Sequence, residues 1–202
     1  MTRRWHVERS RQEGGYTLVE MAVVVIIVGI LAALGIASYR RYIRSARIGE
    51  AGEMINQIKA AQEAYRTDAF TYLDVSGTHS LADMSSFYPT TTPGNKKYGW
   101  GDAYGNASGP KWGALNVHTD GGGVYFAYGC AAGEPSDPVA GTGISVFGQM
   151  NMASSVANWP TALPVPWYVV KAVGDLDGDG KDATVFVSAS FTSLVYNDFE
   201  HN

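Results

Sequence analysis

"GGYTLVEMAVVVIIVGILAALGIASYRR", residues 14–41, decides how this chain is built. From Tyr16 to Tyr39 the only charged side chain is Glu20, and residues 21–37 carry no polar side chain at all. As a helix the stretch from Tyr16 to Tyr39 reaches about 36 Å, enough to cross a hydrocarbon core with some tilt. A helix that is apolar all round belongs in lipid or inside a protein assembly. A lone carboxylate in that setting costs about 2.5–3.5 kcal/mol, so Glu20 calls for a partner.

Two ordinary readings leave Glu20 unexplained. A secretory signal peptide has a basic start and an apolar run, but its run is shorter and ends in a small-residue cleavage site. A plain single-pass anchor fits the length. Its orientation is ambiguous, because Arg3, Arg4, Arg9 and Arg11 lie before the run and Arg40, Arg41, Arg44 and Arg47 lie beyond it. Residues 1–15 are net +2 within a chain of net −4, so this basic leader stands apart from the fold.

The segment "GGYTLVE" followed by "VVVIIVGILAALGIASYRRYI" resembles the start of type IV pilins and pseudopilins. In that family a glycine ends a short basic leader, and a glutamate stands fifth in the mature chain. The resemblance implies that a prepilin peptidase cuts after Gly15 at the cytoplasmic face of the inner membrane and methylates the new amine on Tyr16. It also implies a single-pass precursor with its N-terminus in the cytoplasm, then a periplasmic or extracellular filament of pilin-like subunits. The Tyr16 amine of a neighbouring subunit then supplies the counter-charge for Glu20 and sets the register between copies. Tyr16 replaces the usual phenylalanine, and Ala37 stands where many members have a proline. Without that breaker, any unwinding has to start at Gly29 or Gly35.

Beyond Tyr39 the pattern turns amphipathic. Ala51, Met54, Ile58, Ala61 and Tyr65, with Ile55 beside them, form one stripe at helical spacing. No proline occurs before Pro89, so one helix is expected from about Tyr16 to about Asp68. From residue 71 the chain becomes rich in turns: all eight prolines fall between Pro89 and Pro166, and fourteen of 24 glycines between Gly94 and Gly148. Short strands are expected at 114–118, 124–130, 167–173 and 184–191. The expected fold is α+β: leader 1–15, membrane or filament-core helix 16–39, amphipathic continuation 40–70, and a loop-rich antiparallel head 71–202. The sparsely charged stretch 85–170 reads either as a contact face of a filament subunit or as plain surface loops.

"GDLDGDGKD", residues 174–182, alternates Asp175, Asp177 and Asp179 and adds Asp182. D-x-D-x-D-G matches the first half of a calcium loop, in which carboxylate oxygens surround the cation and glycine permits the turn. The position for a bidentate glutamate holds Phe186 instead. Calcium, held by these four aspartates, and a bare Asp-Gly turn both account for the motif. Cys130 is the sole cysteine, so no internal disulfide forms, which departs from the paired-cysteine loop of many major pilins. It reads as a buried small residue or as a link between subunits. His79, His118 and His201 lack partners at recognisable spacing, and no G-x-S-x-G motif occurs. An enzyme is therefore not expected. Nor is nucleic-acid binding, for which Lys96, Lys97 and Lys111 in an acidic head are thin support. Three functional classes remain: a subunit of a pilus-like filament, a type II secretion pseudopilin, and an anchored, non-polymerising calcium-dependent binding module.

Overall fold

The computed structural model describes residues 15–81, 84–101, 109–119, 121–139, 159–178, 180 and 184–198. The chain forms two compact units, Met1–Ile43 and Arg44–Asn202. Helix α1, Leu18–Ala69, begins in the first and ends in the second, matching the expected span to within a turn. It stops at Phe70, whose N–H donates to the Arg66 carbonyl at 2.9 Å with a left-handed φ of 60°. Glycine usually takes this capping position, because a Cβ there is strained.

The second unit is α+β, as the sequence predicts. After α1 come β1 (Tyr98–Gly99), α2 (Gly109–Leu115), β2 (Gly123–Val124), β3 (Ala127–Gly133), β4 (Trp167–Gly174), β5 (Thr184–Ala189) and β6 (Tyr196–Asp198). Strands β3-β4-β5-β6 form one antiparallel sheet in that order, and β1 pairs with β2 in a second, two-stranded ladder. Register follows side-chain parity. Cys130 lies opposite Val170, and Val170 opposite Ser188. Tyr128, Cys130, Ala132, Tyr168, Val170, Ala172 and Phe186 form one cluster with Ala51, Met54, Ile55 and Ile58 of α1. Each fully buried aliphatic in that stripe contributes about 1.5–3 kcal/mol.

The other face of the sheet is buried as well. Ala131, Trp167, Val169, Val173, Val185 and Val187 pack against Leu81, Phe87, Val139 and Trp159 from the connecting segments. The covering is tight. A Cβ at Gly129 would stand 2.7 Å from the Phe87 ring, and one at Gly133 would stand 2.5 Å from the Trp167 indole. Of the aromatic residues before and within the glycine-rich stretch, Phe87, Tyr88, Trp100 and Trp112 are buried.

Two strand expectations need correction. Residues 114–118 are not a strand: α2 occupies Gly109–Leu115, with Pro110 in its first turn and Trp112 sunk fully into the core. The strand expected at 124–130 is broken at Tyr125 and then runs on to Gly133. Its break has a visible cause. The Tyr125 N–H donates to Glu50 Oε1 on α1 at 2.6 Å instead of entering a ladder.

Candidate functional site

In the first unit, Gly15 has open space around it and Tyr16 is 83 % exposed. Every residue from 15 to 36 is exposed, including Leu18, Val24, Ile27 and Leu31. By length and composition α1 is able to cross a membrane, and none of its most apolar window is buried within the chain.

Glu20 already has a partner in its own first turn. Thr17 donates its N–H to Glu20 Oε2 at 2.8 Å and its hydroxyl to the same oxygen at 2.7 Å. In return the Glu20 N–H donates to Thr17 Oγ1 at 3.2 Å. This is a capping box, in which the N-cap threonine and the glutamate three residues later satisfy each other's orphan donors. Both hydrogen bonds fall on Oε2, and no described residue donates to the second carboxylate oxygen. Thr17 is thus a functional residue that the reading of Glu20 alone misses, although T-x-x-E before an apolar run is itself a signature.

In the second unit, the aspartate loop follows β4. The Asp175 carboxylate accepts the Gly178 N–H at 2.6 Å and the Gly180 N–H at 3.1 Å. Gly178 and Gly180 hold left-handed φ values of 79° and 71°, which only glycine adopts without strain. Burial pushes the Asp175 carboxyl above its ordinary range and outweighs the two N–H donors. The Asp177 carboxylate, within hydrogen-bonding reach, pushes in the same direction. Two anions keep such a contact across a proton, a cation or a screening water. Arg47 Nη1 of α1 fastens the loop by donating to the Leu176 carbonyl at 3.2 Å. The Arg47 guanidinium lies 4.3 Å from the centroid of the Tyr125 ring.

Asp179 and Asp182 lie outside the described residues, and among those described no three metal-ligating side chains gather. Phe186 is a core residue, its ring 5.8 Å from that of Phe126. Cys130 is fully buried and accepts a hydrogen bond from Gln62 Nε2 at 3.1 Å. Burial pushes its thiol up to about 12, which suits an inert packing residue rather than a link between subunits. His79 contacts the Ala132 carbonyl and lies 3.8 Å from Asp74. The candidate nucleic-acid lysines are engaged locally: Lys97 with Glu50 at 3.5 Å, Lys111 with the Asp74 carbonyl at 2.9 Å, and Lys96 over the Tyr98 ring.

Residues 10–36 match the family model described as the prokaryotic N-terminal methylation motif. The chain is 42 % identical over 64 residues to the type II secretion system core protein G of Pseudomonas aeruginosa, covering 32 % of this chain and 45 % of that protein. It is 33 % identical over 69 residues to a fimbrial protein of Moraxella nonliquefaciens, covering 34 % and 44 %. It is also 35 % identical over 54 residues to the fimbrial protein EcpC of Eikenella corrodens, covering 27 % and 35 %. The chain thus spans less than half the length of the curated relatives it matches. No solved structure matches it. The N-terminal segment of this chain thus carries the prokaryotic N-terminal methylation motif at the head of a capped apolar helix, and it is similar to that of type II secretion and fimbrial proteins.

Proposed function

We propose that this chain is a structural subunit of a type IV pilus-like filament, cut after Gly15 by a prepilin peptidase and polymerised through α1. One observation carries the reading: an apolar helix of membrane-spanning length whose side chains find no cover among the described residues, headed by Gly15, Tyr16 and Glu20. Before assembly that surface rests in the inner membrane, with the leader in the cytoplasm. Afterwards it packs against equivalent helices, and the Glu20 oxygen left open by the capping box takes the Tyr16 amine of an adjacent copy. The role is structural, not catalytic. Electron microscopy with antibody to the head tests it: labelled filaments are expected, and they disappear when the prepilin peptidase is deleted.

A second reading, the type II secretion pseudopilin, is favoured by the 42 % identity to a secretion-system core protein. Loss of protein export on deletion, without surface filaments, selects it. In either role the aspartate loop takes calcium through Asp175, Asp177, Asp179 and Asp182. The support is the Asp175–Asp177 contact, which a cation relieves. Calorimetric titration of the detergent-solubilised chain tests this, with heat expected for calcium and little for magnesium. No heat with either ion removes the site and leaves a bare turn. A non-polymerising calcium-dependent module predicts calcium binding without filaments.

A further inference from the structure

Within the second unit, a groove of about 300 Å3 runs along α1 from Ala46 to Gln57. Glu50, Glu53, Met54, Lys97 and Val124 are among the residues lining it. Lys97 lies 3.5 Å from Glu50, and the other Glu50 oxygen holds the Tyr125 N–H. Glu50 is therefore engaged, whereas Glu53 is exposed and no described residue bonds to it. The first unit ends with the opposite charge. Arg40 and Arg41 are both exposed and are likewise without a partner among the described residues. Among the described residues, the groove thus holds one unpaired carboxylate, Glu53, and 12–13 positions earlier in the sequence stand two unpaired arginines.

We infer that the groove is an interface between copies, in which Glu53 receives Arg40 and Arg41 of the next subunit. This inference rests on the polymer reading above. The donor and receiver surfaces differ, so the contact is heterologous, and heterologous contacts that do not close on themselves propagate as open helical filaments. Guanidinium groups suit the receiver because they form paired, charge-assisted hydrogen bonds to a carboxylate. Leaving the membrane removes lipid phosphates from the arginines, and the groove supplies a replacement at a fixed axial position. The contact discriminates register more than it adds cohesion, since like charges meet at other offsets.

Charge exchange in the full chain, expressed with its assembly machinery, tests the inference. Glu53→Arg and the Arg40→Glu/Arg41→Glu pair should each cut sheared filament yield about tenfold, and combining them should restore most of it. Arg41→Cys with Glu53→Cys should give an oxidation-dependent ladder of dimers, trimers and higher species, while neither cysteine alone yields more than monomer. Cys130 is buried and stays silent in this assay. Full filament yield in both charge variants, with no ladder, overturns the interface while leaving the polymer reading intact. So does loss of Arg-variant precursor from the membrane without rescue, which assigns the arginines to lipid. Absence of filaments from the wild-type chain overturns the polymer reading itself.

Discussion

Replacing Lys171 by methionine should stabilise the head and remove most of its pH dependence. Lys171 sits in the middle of β4, between Gly129 and Val187 of the flanking strands, and is completely buried. Among the described residues its Nζ reaches the Leu81 carbonyl, at 3.5 Å, and lies 5.8 Å from the Phe87 ring centroid. Burial drives its pKa from 10.5 down to about 7. The unfolded chain keeps its proton up to about pH 10.5, so between these values the folded state binds fewer protons. Stability therefore rises with pH across that window and is flat, at its lowest, below pH 7. At about 1.4 kcal/mol per pH unit the full swing is about 5 kcal/mol. Methionine fills a similar volume without a charge, so it should recover roughly 3–5 kcal/mol at pH 6. Urea unfolding of the detergent-solubilised chain, followed by tryptophan fluorescence from pH 6 to 10, measures both effects. A wild-type stability that does not rise above pH 7 refutes the reasoning. So does a variant destabilised by more than about 1 kcal/mol.

Four further outcomes follow from the contacts described. Glu20→Gln keeps a side chain able to close the capping box but lacks the charge, so insertion should be normal while filament yield collapses; normal yield confines Glu20 to capping. Thr17→Ala should fray the first turn, at a cost of about 1 kcal/mol, and weaken assembly less than Glu20→Gln does. Phe70→Gly relieves a left-handed backbone at an exposed site and should stabilise the head by about 1 kcal/mol, read as a rise in Tm. Asp177→Asn removes the repulsion on Asp175, so it should stabilise the calcium-free chain and lower calcium affinity. A calcium response equal to wild type counts against the loop as the binding site.

How much the sequence disclosed depended on whether the deciding interaction was local. The helix was legible because a proline-free run with a 3.6-residue stripe needs nothing from elsewhere, and Ala51, Met54, Ile55 and Ile58 are buried along it. The capping box was equally local, with Thr17 and Glu20 both in the opening stretch, but the carboxylate drew attention away from its neighbour. By contrast, the break at Tyr125 depends on Glu50, 75 positions earlier, taking its N–H. α2 forms where glycines argued for loop, because Trp112 anchors a single short helix in the core. Burial of the outer sheet face required knowing that Leu81, Phe87 and Trp159 fold back over it. Lys171 left one trace, a charge at the same strand parity as Trp167, Val169 and Val173.

The central claim is that Glu20 is retained for an amine created by cleavage after Gly15. Mass spectrometry of the N-terminal peptide from the cell-associated protein tests it most directly. The peptide is expected to begin at Tyr16, with a methyl group on its amine. A mature chain that begins at any other residue contradicts it, because no cation would then stand four residues before Glu20 to be offered to the next subunit.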